Sequence, residues 1–206
     1  MSLIQNGEIL VKMGARGEVA GRCDDWDEVC FGSVRQILVT HGDAVNSIQI
    51  TYDLNGTLVL SHRRGGDGDK LDCVNLEPWE SFTAISGHYG SVDDSGATVV
   101  IRSLSFTTNR ATYGPFGQEE GTAFTFKFQS GVSFGGFHGR SSADYLRAIG
   151  IYVMTRARHH FKPEPGRYSS LPAFCAAAED SRRQALGLWD VDGCCRCDGN
   201  GNKRLT

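Results

Sequence analysis

Residues 45–52 (VNSIQITY) alternate apolar with polar positions, which is the period of a strand with one face buried. Residues 33–40 (SVRQILVT) form a neighbouring run rich in β-branched side chains, and His41-Gly42-Asp43-Ala44 between the two reads as a turn. The second run closes on Asp53-Leu54-Asn55-Gly56, and an Asn-Gly pair suits a two-residue hairpin turn, so a return strand is predicted over 58–61. Further strand-like runs fall at 81–86, 98–107, 123–128, 131–137 and 145–155. Between them lie HYGSVDDSG, GPFGQEEG, GRSSAD and the glycine-rich 63–70 segment RRGGDGDK, all turn or loop chemistry. No window before Arg156 carries a helical stripe. The pattern predicts an all-β domain built as a sandwich, barrel or prism, and does not choose among them.

The texture changes after Arg156. Pro163, Pro165 and Pro172 interrupt a segment without alternation, residues 172–188 carry alanine-rich helical propensity, and the end, GCCRCDGNGNKRLT, is polar and loop-like. The expected organisation is one domain over 4–156 followed by an irregular, partly helical and poorly ordered extension over 157–206.

Composition narrows the function classes. Of 206 residues 40% are hydrophobic and 22% charged, which describes a globular chain, and the 26 glycines suit many turns between short strands. A net charge of −3 offers no basic field, so neither nucleic acid nor an anionic membrane is an expected partner. The first residues carry no secretory pattern and no apolar run spans a bilayer, from which a cytoplasmic, or nuclear, location is expected. Seven cysteines, an odd and scattered set, then read as free thiols. Cys175, Cys194, Cys195 and Cys197 with His159 and His160 lack the paired spacing of a zinc site, so no metal and no cofactor is expected. Phosphate-loop, nucleophile-elbow and HExxH patterns are all missing, and the expectation is a protein that is not an enzyme.

Four segments together carry a resemblance. They are VKMGARGEVAG (11–21), VRQILVTHGDAVNSIQITYDLNG (34–56), VVIRSLSFTTNRATYGPFGQEEGTAFTF (99–126) and GGFHGRSSADYLRAIGIYV (135–153), with TNRATYGPFG the most specific piece. In this order, over nearly all of 8–155, the chain resembles the jacalin-related lectins. The resemblance implies a β-prism I fold of three four-stranded antiparallel Greek-key sheets. It also implies binding of mannose- or glucose-containing glycans by a cytoplasmic plant protein of defence or stress responses, with homo-oligomers among the expected assemblies. The alternative reading is a β-prism interaction or scaffold module whose sugar binding is weakened or lost.

The same resemblance assigns site residues. A sugar hydroxyl both donates and accepts, so such a site combines backbone N–H groups with one carboxylate, and needs glycine where a Cβ would block the ring. The glycine role falls on Gly21. The facing loop would supply Asp144, Tyr145 and Leu146 as backbone donors, with Arg147 standing where the family has its carboxylate and one extra residue between Gly139 and Asp144. Arginine has only donors. Either the Asp144 side chain swings in to replace the lost acid, or the site is weak or dead. A possible second sugar site would use Gly42, Asp43, Ala44 and Asn46 with Gly66, again without the final aspartate; ordinary hairpin turns explain the same residues. Tyr89, Tyr113, Phe116 and Tyr145 suit either a sugar loop or the core.

Overall fold

The computed structural model describes residues 2–156 apart from Asn6, Gly7, Val19, Ala20, Arg22, Cys30, Phe31 and Asp94. The chain divides into two units, Met1–Arg158 and His159–Thr206. The expected linker, helix and cysteine-rich end of the extension lie outside the described residues.

Short strands β1 (Ser2–Gln5), β2 (Glu8–Lys12), β3 (Arg16–Gly17) and β4 (Asp24–Val29) precede a long hairpin, β5 (Ser33–His41) and β6 (Val45–Leu54). Then β7 (Thr57–Leu60), β8 (Arg64–Gly65) and β9 (Lys70–Asn75) lead to a second hairpin, β10 (Phe82–Ser91) and β11 (Val99–Thr108). Strands β12 (Thr112–Gly117) and β13 (Thr122–Lys127) lead to the third, β14 (Val132–Ser141) and β15 (Leu146–Arg156). The strands form three antiparallel sheets, in the orders β7-β6-β5-β9, β12-β11-β10-β13 and β2-β15-β14-β4, with β1, β3 and β8 as additions. Each long hairpin thus sits between two shorter strands. In the third sheet those flanking strands come from the start of the chain, with Glu8 opposite Arg156 and Trp26 opposite Gly139.

The hairpins repeat one another in detail. Register slips at Val34/Gln36 and Thr40/His41 in the first, at Phe82/Ala84 and His88/Tyr89 in the second, and at Phe134/Gly136 and Arg140/Ser141 in the third. A bulge adds twist and bends a strand, which curls each sheet around a common core. Ile37, Val39, Ile48, Ile50, Ile85, Ile101, Leu104, Ile149 and Ile151 fill that core. Phe82, Phe106, Phe134 and Phe137 meet inside it, with ring centroids 4.6 Å apart for Phe134–Phe137 and 5.1 Å for Phe82–Phe134. Such aromatic contacts add about 0.5–1.5 kcal/mol each beyond area burial.

The sequence pattern finds the central strands and the Asn55-Gly56 turn, whose residues have φ of 56° and 87°. It misses β4, β9 and β12. Each of these offers the core a single buried anchor or little more, Trp26, Val74 and Phe116 respectively, among exposed or half-buried neighbours. Strand β12 also contains Pro115, which a strand at the edge of a sheet accommodates because one of its backbone faces has no ladder partner.

Candidate functional site: three loop pairs at one end of the prism

All three long hairpins turn at the same end of the prism, and beside each turn runs a glycine-bearing segment held by the same bond. The Glu18 N–H donates to the Arg147 carbonyl (2.9 Å), Gly66 N–H to Asn46 (3.1 Å), and Gln118 N–H to Arg102 (2.9 Å). The preceding glycines, Gly17, Gly65 and Gly117, all have positive φ. Arg147, Asn46 and Arg102 are therefore equivalent positions of a threefold repeat. Two of them, Arg147 and Asn46, are the positions where the resemblance leads one to expect a carboxylate, and Arg102 occupies the third equivalent position.

The first pair brings Gly17, Glu18 and Gly21 to the 142–147 turn. Gly21 has φ +99°, and no described residue comes within 4 Å of where its Cβ would stand. Its carbonyl accepts from Arg140 Nη2 at 3.2 Å, and Arg140 Nε donates to Asp25 at 2.7 Å. In the turn, the Tyr145 N–H donates to Ser142 Oγ (3.2 Å) and the Ser142 N–H to the Tyr145 carbonyl (3.0 Å). Leu146 is fully buried and anchors the turn, whereas Asp144 is exposed and its carboxylate has no hydrogen bond among the described residues. Arg147 is half-buried and its Nη2 meets Glu18 Oε2 at 3.4 Å. The Nε of Arg147 and Nη1 of Arg140 are buried without partners among the described residues.

Glu18 is a residue that sequence reasoning missed. Its one signal is an acidic side chain within a glycine-rich run, and its pairing with a residue 129 positions away is visible only in three dimensions. Glu18 also lines a cavity of about 480 Å³ with Lys12, Asp25, Trp26, His138 and Arg140. His138 donates Nε2–H to the Met13 carbonyl (2.7 Å), and burial pushes its pKa down. The Asp27 carboxylate accepts from Lys12 Nζ (2.7 Å) and the Tyr152 hydroxyl (2.5 Å). The Asp27 bond raises the Lys12 pKa, and burial raises that of Tyr152.

The second pair is closed by the chain itself. The carbonyl of Ala143 stands 2.1 Å from where a Cβ on Gly66 would be, so the close approach that requires glycine there comes from the 142–147 turn of the third hairpin. Asn46 Nδ2 donates to the Asp144 carbonyl at 3.1 Å, fastening the two pairs together. The residue gained by the 142–147 loop thus leans on its neighbour. A cavity of about 540 Å³ remains on the other side, lined by Gly42, Asp43, Ala44, Asn46, Asp67 and Asp69 and reaching Arg102 and Tyr145. Its walls are fixed by Gln118 Nε2 on Asp43 (2.6 Å) and by His41, which accepts from the Gly117 N–H (3.2 Å) and pairs with Asp72 (2.6 Å). Of the aromatic candidates, Phe116 is buried in the core, Tyr89 and Tyr113 pack against it, and Tyr145 alone reaches this cavity.

Three curled antiparallel sheets with paired glycine and hairpin loops at one end define a β-prism lectin-type domain. Residues 13–152 match the Jacalin-like lectin domain, and the chain belongs to that family, whose members are non-enzymatic carbohydrate-binding proteins. Over 132 residues it is 46% identical to jacalin-related lectin 3 of Arabidopsis thaliana, a match spanning 62% of this chain but 22% of that protein. It is 41% identical over 133 residues to the agglutinin of Castanea crenata, spanning 63% of this chain and 42% of the relative. The chain therefore spans less than half the length of these two relatives. Among solved structures, the mannose-binding jacalin-related lectin of Ananas comosus aligns with a TM-score of 0.62 at 33% identity, covering 70% of this chain and 96% of that one.

Proposed function

We propose that the domain binds mannose- or glucose-containing glycans at the first loop pair, through Gly21 and the 144–147 backbone. The observation that carries this reading is the open face of Gly21, a positive-φ glycine with no described neighbour where a side chain would be, set beside the hairpin loop. The pineapple relative, described as mannose-binding, supports the choice of sugar. Few contacts are available, so a monosaccharide Kd near the millimolar range, about −4 kcal/mol, is expected.

Calorimetric titration with methyl α-mannoside tests the proposal, with Gly21→Ala as the variant. The added methyl stands where the sugar would approach and should weaken binding about tenfold, or about 1.4 kcal/mol. Backbone strain at this φ costs about 1 kcal/mol of stability, which a parallel thermal melt separates from the binding effect. Equal affinity in both proteins, or no response from the parent on a broad glycan array, overturns the reading. The reading extends to a cytoplasmic protein of plant defence or stress responses, which fractionation of the tagged full-length protein and expression under challenge would test.

A second reading, an interaction or self-association module, has its own observation. Leu58, Val59 and Leu60 stand exposed on edge strand β7, and Leu71 stands exposed on β9 at the other edge of the same sheet. An apolar edge is a template for another strand. Sedimentation of the parent beside a Leu58→Lys, Leu60→Lys variant tests it: a complex that persists in the variant removes this edge from consideration.

A further inference from the structure

The 142–147 turn pins one of its own peptide groups from both sides. The carbonyl of Asp144 accepts from Asn46 Nδ2 at 3.1 Å, and the N–H of the same peptide group, that of Tyr145, donates to Ser142 Oγ at 3.2 Å. The peptide is trans, so the two groups point in opposite directions, and drawing the carbonyl toward the second loop pair aims the N–H away from it. Turning the peptide over would break both bonds and shift Asp144, whose Cα already stands 2.8 Å from where Gly66 would carry a Cβ.

The Tyr145 N–H is one of the backbone donors that the carbohydrate reading of this turn needs, and a hydroxyl of the chain already accepts from it. That hydroxyl is chemically what a sugar would bring, one donor and two acceptor lone pairs. The contact is also one that a ligand can displace. Its 3.2 Å lies at the long end of the N–H···O range, and the hydroxyl's own acceptor, the Tyr145 carbonyl, is 3.4 Å away, beyond the usual O–H···O distance. The half-buried Ser142 does not hold the turn by its side chain alone, since its N–H donates to the Tyr145 carbonyl at 3.0 Å.

We propose that the Ser142 hydroxyl occupies the Tyr145 donor in place of a sugar hydroxyl, so that a neutral hexopyranoside must displace it to bind. Ser142 then sets the affinity of the turn by competition, while Asn46 keeps the contested N–H in place from the other side of the peptide. The inference rests on the carbohydrate-binding reading of the 142–147 turn.

Calorimetric titrations with methyl α-mannoside test it in three full-length proteins: the parent, Ser142→Ala and Ser142→Thr. Thermal melts check that each is folded. Ser142→Ala should bind about fivefold more tightly, the worth of one neutral hydrogen bond, whereas Ser142→Thr keeps the hydroxyl and should bind as the parent does. A second readout follows the donor itself. Amide hydrogen exchange at Tyr145 should be faster in Ser142→Ala than in the parent, and saturating sugar should slow it again. Ser142→Ala binding no more tightly than the parent, or Tyr145 exchange staying fast in the saturated variant, overturns the competition while leaving the carbohydrate reading intact. A gain shared by Ser142→Thr also overturns it, since loosening of the turn would then be the cause. Silence from all three proteins removes the carbohydrate reading itself, and the competition with it.

Discussion

The first and second loop pairs share one backbone plan and differ in what covers their glycines. No described residue comes within 4 Å of where Gly21 would carry a Cβ, whereas the carbonyl of Ala143 stands 2.1 Å from that place on Gly66. The same residue type thus leaves room beside the chain in one place and admits the chain's own packing in the other. A glycine in a sequence marks only that something comes close; what comes close is decided by the rest of the fold.

The largest effect expected in testing that contrast lies away from both pairs. At the far end of the prism the Glu80 carboxylate, whose side chain is fully buried, accepts from Thr108 Oγ1 (2.5 Å), the Tyr113 hydroxyl (2.8 Å) and the Glu77 N–H (3.2 Å). Burial pushes its pKa up, but these bonds outweigh burial and leave it below 4.5. Glu80→Ala should cost about 3 kcal/mol by stranding buried donors. Urea denaturation measures this, and sugar affinity should stay unchanged if function is confined to the loop end. Because the folded pKa is lowered, the contribution exists above about pH 4.5 and is lost as pH falls through the folded value, so the variant's stability should change less on the acid side.

A smaller effect bears on the contrast directly. Gly66→Ala must push the 142–147 loop away and should cost about 2 kcal/mol, the range of an overpacked site. If instead the variant is as stable as the parent, the two loop pairs do not rest on each other. Smallest is Asn46→Ala, which removes the bond to the Asp144 carbonyl and should cost about 1 kcal/mol. Amide hydrogen exchange should then quicken in residues 142–146 and remain unaltered around Glu80.

How far the sequence carries can be judged from the same residues. The alternation in 45–52 and the Asn55-Gly56 pair place β6 and its turn, because a half-buried strand writes its period into the chain. Strand β4, by contrast, reads DDWDEV, and its place is set by pairing with β14 more than 100 residues away. Arg147 and Asn46 are recognisable as departures through the resemblance to the jacalin-related lectins, whose loops carry an aspartate there. The partner of Arg147 is not, nor the cover over Gly66, since both depend on contacts between distant segments.

The third sheet has a consequence for the order of assembly. Its middle strands are the last of the domain to be made, and its outer strands, β2 and β4, are among the first, with Glu8 waiting for Arg156. During synthesis the opening residues have no place to dock until the final hairpin has left the ribosome, so closure of the prism is a late, long-range event. A chain stopped before residue 132 would keep both complete sheets and lose the one that bears the first loop pair.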